Sequence, residues 1–282
     1  MNFTKELSIR ADHLSMLSLS LGTAAGIFFD LGFVRGGGRT SLDQKVMEMT
    51  APTIRYVFDN AYIECVQFPP EISEFYSLLK SAAGIHIMAL LTPDAAGTLD
   101  RLQERGLETE ELERVVRRNV DYGERQGAVI FDLAPLPHEI IPRTHIAFLE
   151  HKTHDLMYQP TRCAHINAVS RLEGAVLCCA DAEQAQSIAA QLTDLCDLAE
   201  NHTCSGGMER LTLMDRESFA REYGVSPDPD GSPFAALVFG TPDMDSTLRY
   251  LRLSGYSMEE RPDRVRVWPP KRLGLVLDFI PV

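Results

Sequence analysis

The sequence has few positive charges for its length. Its 282 residues contain 27 lysines and arginines against 40 aspartates and glutamates, which gives a formal net charge of −13 at pH 7. Nucleic acids and anionic membrane surfaces attract basic proteins, because both carry negative charge. We therefore expect neither nucleic acid nor a membrane as a partner.

Cysteine pairs and long apolar runs are also lacking. The six cysteines show no C-x-x-C spacing, and Cys178 and Cys179 are adjacent within an apolar segment. Neighbouring residues of a strand point to opposite faces, so we interpret all six as buried, reduced thiols of a cytoplasmic protein. Residues 14–29 carry no charge, but serines and glycines interrupt them, and Asp12 precedes them where a signal peptide has positive charge. We predict neither a signal peptide nor a membrane span.

One strand–helix segment occurs twice in the chain. In both copies an apolar run leads to Thr-Pro-Asp, then to a stretch with helical spacing that contains Thr-Leu, and a glycine marks its end. The first copy spans residues 87–108, and the second begins at residue 237. The identical positions are Thr92 and Thr241, Pro93 and Pro242, Asp94 and Asp243, Thr98 and Thr247, Leu99 and Leu248, and Gly106 and Gly255. They indicate one supersecondary unit used twice.

The rest of the chain divides into modules around these two copies. The first module is predicted to contain a helix at residues 23–30 and to end with a hairpin at 53–68. In the second module we assign the charged residues 111–121 to a strand, because a turn follows at Gly123. The order strand–helix–strand–strand–strand has an antiparallel component. We therefore predict an α+β fold of four βαβββ modules in two pairs.

Several short motifs resemble the vicinal oxygen chelate superfamily, and most closely its glyoxalase-like domain proteins. The motifs that carry the resemblance are Asp12-His13-Leu14, Leu31-Gly32-Phe33, Tyr62-Ile63-Glu64, Glu150-His151-Lys152-Thr153 and His165-Ile166-Asn167-Ala168. The superfamily includes glyoxalase I, extradiol dioxygenases, methylmalonyl-CoA epimerase and bleomycin-resistance proteins. The resemblance implies module pairs at residues 1–155 and 156–282, each curving around a cavity. It also implies a small-molecule substrate and makes a homodimer an expectation.

The resemblance further implies a divalent metal held by the first and last strands of the modules. Carried over by position, His13 lies on the first strand of module one and Glu64 on its last strand. His86 and Glu150 take the corresponding places in module two. Two imidazoles and two carboxylates suit Zn²⁺, Ni²⁺, Mn²⁺ or Fe²⁺. Ala235 stands where His86 stands in the first copy of the repeat, so we expect the second pair of modules to hold no metal.

The two predicted glutamate ligands also have structural interpretations. Glu64 lies in an apolar strand, where an unpaired carboxylate is costly to bury. Arg55 on the neighbouring strand is therefore an alternative partner to a metal. Lys152 is the corresponding alternative for Glu150.

Other polar groups leave two interpretations open. Arg35 and Arg39 flank the glycine loop at residues 36–38 and suit the carboxylate or phosphate of a substrate, or else are solvent-exposed loop charges. A dense set of histidines suits either a functional cluster or a polar linker. These histidines are His145, His151, His154 and His165.

Three functions are open from the sequence. The first is a metal-dependent enzyme for a small oxygen-rich substrate, with lyase, isomerase or epimerase chemistry through a metal-stabilised enediolate and Glu64 or Glu150 moving the proton. The second is an Fe(II) dioxygenase of the extradiol type that uses His13, His86 and Glu150. The third is a metal-free protein that sequesters a ligand between paired modules. The two glutamates favour the first hypothesis, since a sequestering protein needs neither.

Overall fold

Strands make up most of the regular structure of this chain. The structure, a computed structural model, describes residues 2–18, 21–36, 45–46, 49–50, 53–67, 84–121, 125–136, 140–229, 231–270 and 273–282. The strands are β1 (Thr4–Ser18), β2 (Lys45–Val46), β3 (Met49–Thr50), β4 (Thr53–Val57), β5 (Tyr62–Gln67), β6 (Gly84–Leu91), β7 (Glu113–Asp121), β8 (Gln126–Pro135), β9 (His145–His151), β10 (Arg171–Cys179), β11 (Met208–Asp215), β12 (Phe234–Thr241), β13 (Ser257–Glu260), β14 (Val265–Trp268) and β15 (Val276–Pro281). The helices are α1 (Leu21–Asp30), α2 (Ala95–Glu104), α3 (His154–Met157), α4 (Pro160–Cys163), α5 (Ala182–Leu198), α6 (Arg216–Tyr223) and α7 (Met244–Leu253), with a 3₁₀ turn at Asn201–Thr203.

Thirteen of these strands form one sheet, and β2 and β3 pair with each other separately. The order along the sheet is β13-β14-β15-β12-β10-β11-β1-β6-β9-β8-β7, and the β4–β5 hairpin joins it through β5 and β1. The pairs β1–β5, β6–β9, β10–β11 and β12–β15 are parallel, whereas β1–β6, β10–β12 and β1–β11 are antiparallel. This mixed sheet with its helices confirms the predicted α+β fold.

Two of the predicted units contain their full order of elements. The second unit consists of β6, α2 and β7–β9, and the fourth consists of β12, α7 and β13–β15. In both units the first strand lies beside the last one, with the third and second strands beyond it. The strand predicted at residues 111–121 is confirmed as β7, while the turn predicted at Gly123 lies outside the described residues.

The third unit differs from the prediction. Strand β11 follows β10 and α5 as expected, but the next described element is the helix α6 rather than another strand. Asp215 caps this helix by accepting a hydrogen bond from the backbone N–H of Ser218 at 2.7 Å. Phe219 and Tyr223 are buried on one side of the helix, four residues apart. The cap and the amphipathic spacing favour a helix at this point of the chain.

The paired threonines of the repeated segment form the same contact in both copies. Thr92 Oγ1 lies 2.8 Å from Thr98 Oγ1, and Thr241 Oγ1 lies 2.7 Å from Thr247 Oγ1. All four side chains are buried. Each pair ties the end of a strand to the first turn of the helix that follows, so the angle between the two elements is fixed in the same way in both units.

The caps of the two repeated helices are also alike. Asp94 and Asp243 each accept a hydrogen bond at 3.0 Å from the backbone N–H three residues further on. Gly106 and Gly255 follow the helices with φ angles of 75° and 72°, a left-handed conformation that glycine adopts without strain. The sequence signals for the start and end of this unit therefore act as predicted.

The first strand of every unit carries a β-bulge at an equivalent position. Asp12 is the extra residue of β1 relative to β6, because Ala11 pairs with Leu90 and His13 pairs with Ala89. The corresponding extra residues are His86 in β6, Glu173 in β10 and Ala235 in β12. A bulge changes the direction of a side chain and strengthens the local twist. These four bulges establish which residues of the units are equivalent.

Both faces of the sheet are buried. One face forms a core shared by the two halves of the chain, in which α1, α2, α5 and α7 pack on strands from both halves. We call the opposite side the outer face. In the first half it is formed by residues such as Val57, Tyr62, Ala89 and Leu149, and in the second half by residues such as Val176, Phe219, Ala236 and Val276. The shared core continues across the predicted domain boundary between residues 155 and 156. The division into two domains stays a prediction.

The outer face of the second half is filled by α6. Phe219 and Tyr223 of this helix are buried against the sheet, and Arg266 and Asp278 are fully buried nearby. On the outer face of the first half, Leu156, Met157 and Cys163 of the short helices α3 and α4 pack on the sheet. His13, Ser15 and Glu64 are buried on this face as well.

The prediction of buried, reduced thiols holds in full for four of the six cysteines. All six cysteines are free thiols, and four of them are buried, whereas Cys178 and Cys204 are half-buried. No helix in the described ranges is long and apolar enough to cross a membrane.

His165 makes the stability of the fold depend on pH. Its ring contacts the rings of Phe33 and Phe58, and its Nδ1 accepts a hydrogen bond from the backbone N–H of Val34 at 3.0 Å. Burial lowers the pKa of this imidazole from 6.5 to about 4. The unfolded chain therefore binds a proton at a higher pH than the folded chain, and the free energy of unfolding falls as the pH decreases from 6.5 towards 4.

We expect His165 to contribute about 2–3 kcal/mol to the loss of stability between pH 7 and pH 4.5. Urea unfolding of the wild type and of His165→Gln at a series of pH values measures this contribution. The variant should lose less stability on acidification, because it has no buried imidazole to protonate. The exposed His202 provides the control His202→Gln, which should keep the wild-type pH dependence. The same pH dependence in all three proteins would contradict this assignment.

Candidate functional site

His13 lies on the outer face of the first half. Strand β1 places it opposite Tyr62 of β5 on one side and opposite Ala89 of β6 on the other. Its ring stacks on the Tyr62 ring, with the ring centroids 4.4 Å apart and the planes inclined by 15°. The side chain is almost completely buried, with 7 % of the residue exposed. The orientation of the imidazole is therefore fixed by packing as well as by hydrogen bonding.

Glu64 lies on the same face, two residues after Tyr62 on β5. It stands opposite Ser15 of β1 and opposite Arg55 of β4. One carboxylate oxygen lies 2.6 Å from Nη2 of Arg55, and the Ser15 hydroxyl donates a long hydrogen bond of 3.5 Å to the other. Of the two partners that the sequence left open for Glu64, the structure forms the ion pair with Arg55.

The other two predicted ligands have partners away from His13. Nδ1 of His86 lies 2.9 Å from the carbonyl oxygen of Arg143, in the loop that leads into β9. Glu150 lies on the face of β9 that is turned to the shared core, where it accepts a hydrogen bond from the backbone N–H of Ala95 at 3.1 Å. Lys152 forms an ion pair with the same carboxylate. This pair is the structural alternative that the sequence left open for Glu150.

Strand register explains why the second unit offers no matching ligands. The bulges and the parallel strand pairs show which residues of the second unit correspond to His13 and Glu64. Ile87 corresponds to His13, and Ala147 corresponds to Glu64. His86 is one residue before the first of these positions, and Glu150 is three residues after the second. The odd offset turns Glu150 to the opposite face, because side chains alternate along a regular strand. His86 is itself the extra residue of the bulge, the counterpart of Asp12, and contacts Arg143.

The predicted metal centre does not assemble in the described residues. Within those residues, no group of three or more histidines, cysteines, aspartates or glutamates could hold a metal ion. Glu64 is engaged by a guanidinium, and the counterpart positions of the second unit carry side chains without a donor atom. The donor set does not fit the divalent metal that the resemblance implies, so we assign no chemical step to a metal.

The predicted substrate-binding arginines stay a prediction. Arg35 is exposed at the start of the glycine loop. Arg39 lies outside the described residues, as do Gly37 and Gly38.

Three side chains meet instead around the carboxylate of Asp12. Nδ1 of His13 lies 2.8 Å from one carboxylate oxygen. Nε2 of His151 and the hydroxyl of Tyr158 each lie 2.7 Å from the other. Asp12 is 1 % exposed, so the group is closed to bulk water on the side of the carboxylate. The residues come from the bulge of β1, the end of β9 and the residue after α3, and the bulge allows Asp12 to contact its neighbour in sequence.

The carboxylate of Asp12 is ionised in this cluster. Burial by itself raises its pKa, but the charge of His151 and the hydrogen bonds from His13 and His151 outweigh burial and hold the pKa well below its usual value. An ionised carboxylate can only accept, so His13 must donate from Nδ1 and His151 from Nε2. When the His13 ring is neutral, its remaining nitrogen, Nε2, carries a lone pair. Asp12 thus prepares Nε2 of His13 as a proton acceptor, the arrangement of a general base and the carboxylate that orients it.

Tyr158 and His154 complete the cluster on the side of the short helices. Burial raises the pKa of the Tyr158 hydroxyl well above its ordinary value, and the neighbouring Asp12 carboxylate raises it further. The hydroxyl therefore stays protonated and donates to Asp12. The His154 ring stacks on the Tyr158 ring at 4.6 Å and meets the His151 ring edge-on at 5.4 Å. Burial, followed by the charge of His151, lowers the pKa of His154.

Sequence reasoning identified His13 but not its partners. Asp12 and His151 both stand inside motifs that carry the family resemblance, so their presence was visible. The bond between them joins residues 139 positions apart, and regular strand alternation would direct Asp12 away from His13. The dense set of histidines was the available signal, and His151 and His154 are its members that join the cluster.

Comparison with known proteins shows the family of the chain. A family model described as a glyoxalase-like domain matches residues 11–193, which is well over half of the chain. The chain belongs to this glyoxalase-like domain family. The matched segment contains Asp12, His13, His151 and Tyr158 together with Arg55 and Glu64. No curated protein matches the sequence.

Solved structures share the fold of the glyoxalase-like chain at low sequence identity. A hypothetical protein from Staphylococcus aureus aligns with a TM-score of 0.54 and 10 % identity over 97 % of this chain and 100 % of its own. A mutant of 4-hydroxymandelate synthase from Streptomyces coelicolor aligns with 0.58 and 14 % over 97 % and 92 %. The 2,3-dioxygenase LapB from Pseudomonas aligns with 0.51 and 14 % over 98 % and 93 %. The chain therefore has the fold of the vicinal oxygen chelate superfamily, and a shared fold does not determine the reaction.

Removal of the Tyr158 hydroxyl tests the cluster around Asp12. We expect Tyr158→Phe to lower the free energy of unfolding by about 1.5–3 kcal/mol, because a buried carboxylate loses a hydrogen bond. Urea unfolding of both proteins at pH 7 measures the difference. Tyr250→Phe is the matched control, since Tyr250 is half-buried and its hydroxyl makes no hydrogen bond to the described residues. If the two variants lose equally little stability, Tyr158 does not donate to Asp12.

Proposed function

We propose that the glyoxalase-like chain catalyses proton transfer next to the carbonyl group of a small oxygen-rich substrate, with His13 as the general base. The observation that carries the proposal is the 2.8 Å contact between Nδ1 of His13 and the ionised carboxylate of Asp12. This contact leaves Nε2 of His13 as the proton acceptor. The proposal keeps the isomerase, epimerase or lyase chemistry expected from the sequence and gives the proton transfer to a histidine instead of Glu64 or Glu150.

The surroundings of His13 support this role. In the proposed step the carbon–hydrogen bond breaks, its proton moves to Nε2, and its electron pair moves towards the carbonyl oxygen to give an enediolate. The positive imidazolium that results lies against the Asp12 carboxylate, and the Tyr62 ring keeps the imidazole in its plane. In the reverse direction the same nitrogen returns the proton to carbon.

A substrate oxygen needs donors on the same face as His13. Arg55 provides a guanidinium there, because it stands opposite Glu64 on the neighbouring strands and its further N–H groups can donate. Such donors stabilise negative charge as it develops on a carbonyl oxygen. We assign the binding of the substrate oxygen to this part of the outer face.

The dioxygenase hypothesis is the second candidate, and the structural neighbours favour it. Two of them are 4-hydroxymandelate synthase and a 2,3-dioxygenase. Iron chemistry of that kind needs a facial set of three protein ligands, which the described residues do not bring together. The two candidates differ in their response to chelators and in oxygen uptake, so one experiment separates them.

Hydrogen exchange in D₂O tests the proposed base. The probes are pyruvate, dihydroxyacetone and 4-hydroxymandelate, and the replacement of the hydrogen next to the carbonyl or carboxyl group is followed by NMR. We expect the wild type to accelerate exchange of at least one probe, with the same rate in the presence of EDTA. Asp12→Asn should reduce the rate about a hundredfold or more, because an amide no longer holds His13 in the reactive tautomer.

The exchange experiment has a matched control and distinct outcomes. His202→Gln removes an exposed histidine far along the chain and should exchange at the wild-type rate. Iron-dependent oxygen uptake with 4-hydroxyphenylpyruvate or catechol would replace the proposal by the dioxygenase. Binding of a probe without exchange would indicate the sequestering function. No exchange with any of the three probes, in a protein shown to be folded by circular dichroism, would refute His13 as the base.

A further inference from the structure

Two buried acids in different units of the chain are paired with an arginine in the same way. Arg55 of β4 stands directly opposite Glu64 of β5, and Arg266 of β14 stands directly opposite Asp278 of β15. In each case the acid lies on the last strand of its unit and the arginine on the strand before it. The closest ion-pair distances are 2.6 Å and 2.7 Å.

The two acids occupy equivalent positions. Glu64 pairs with Ser15, three residues after the bulge of β1, and Asp278 pairs with Val238, three residues after the bulge of β12. The same position in the second unit is Ala147, and Pro135 stands opposite it. Within this chain the arginine is therefore present in both units that have the acid, whereas the second unit has neither and the third unit has Thr212 at this position, opposite Val176.

Burial explains why the acid needs a cation. Arg266 and Asp278 are both 0 % exposed, and the guanidinium donates to both carboxylate oxygens, at 2.7 and 2.8 Å. The guanidinium also lies 4.0 Å from the centre of the Tyr223 ring. Glu64 is 3 % exposed and Arg55 9 %. A carboxylate with so little access to water is tolerated only when a positive charge lies beside it.

We propose that Arg55 and Arg266 are built-in cations that occupy the place of a divalent metal beside Glu64 and Asp278. A metal that bound Glu64 would have to displace the Arg55 guanidinium and leave it buried without this counter-charge. A metal that bound Asp278 would have to displace two guanidinium groups, those of Arg266 and of Arg264, which lies 3.1 Å from the carboxylate. Neither acid therefore binds a metal while its arginine is present. This inference concerns the charge balance of the sheet and does not depend on His13 acting as a base.

When the arginine is removed, the stability of the protein should depend on added metal ions, because the remaining carboxylate can bind them. We expect Arg55→Met to lower the midpoint of thermal unfolding by about 6 °C or more. Added Zn²⁺ or Mn²⁺ should then raise the midpoint of this variant by about 3 °C or more, because the ion supplies the missing charge. The double variant Arg55→Met/Glu64→Gln should be more stable than Arg55→Met and should not respond to the ions.

The wild type and a second pair provide the controls. The wild type and Glu64→Gln are incubated with Zn²⁺, Mn²⁺ or Fe²⁺, passed through gel filtration and subjected to elemental analysis. The two proteins should contain the same amount of metal per chain, because Glu64 binds none. Arg264 also donates to Asp278 at 3.1 Å, so the second pair is tested with Arg264→Met/Arg266→Met and with the same variant carrying Asp278→Asn, which should repeat the behaviour of the first pair. Arg171→Met, which breaks the part-exposed pair with Glu173, should change the midpoint little.

Two results would overturn the proposal. One is about one equivalent of metal per wild-type chain that disappears in Glu64→Gln, since Glu64 would then be a metal ligand beside Arg55. The other is an Arg55→Met protein as stable as the wild type, or one whose midpoint is unaffected by both ions, since the arginine would then not be standing in for a cation.

Discussion

The β-bulge at Asp12 is the local feature on which the candidate site depends. In a regular strand Asp12 and His13 would point to opposite faces of the sheet, and their side chains would not meet. The extra residue shifts this alternation, so the carboxylate reaches both Nδ1 of its neighbour and Nε2 of His151. Because β1 pairs with β5, β6 and β11, the bulge is held by hydrogen bonds from several strands, and the sheet fixes the orientation of His13 without help from a flexible loop.

The same bulge recurs in all four units, but its residue has a different environment in each. Asp12 collects three donors, His86 contacts a backbone carbonyl, Glu173 pairs with Arg171, and Ala235 makes no polar contact through its side chain. The backbone feature is therefore common to the units, and the side chain decides what it does. This explains how a chain with four similar strands has one cluster with a base and an orienting carboxylate.

The sequence predicted those parts of the fold that depend on local signals. Caps and terminal glycines act within one turn of a helix, so Asp94, Asp243 and the glycines after them were readable, and the α+β class followed from the order of elements. Register was not readable, because a bulge has no sequence signature here and a shift of one residue exchanges His86 for Ile87. The competition for Glu64 between Arg55 and a metal was also not decidable, since it depends on cross-strand distances of a few ångströms.

The position of Glu64 poses one electrostatic problem to each unit, and the chain solves it in different ways. The second and third units remove the charge, because Ala147 and Thr212 need no cation, and in the second unit a proline can then stand opposite even though proline donates no hydrogen bond. The first and fourth units keep the acid, and they can do so only with a cation within contact distance, which fixes an arginine on the adjacent strand. In the fourth unit the pair is sealed under α6, so the charges there serve the packing of the sheet. In the first unit the pair lies on the face that also carries His13, so the charges that balance each other there belong to the same face as the oriented imidazole.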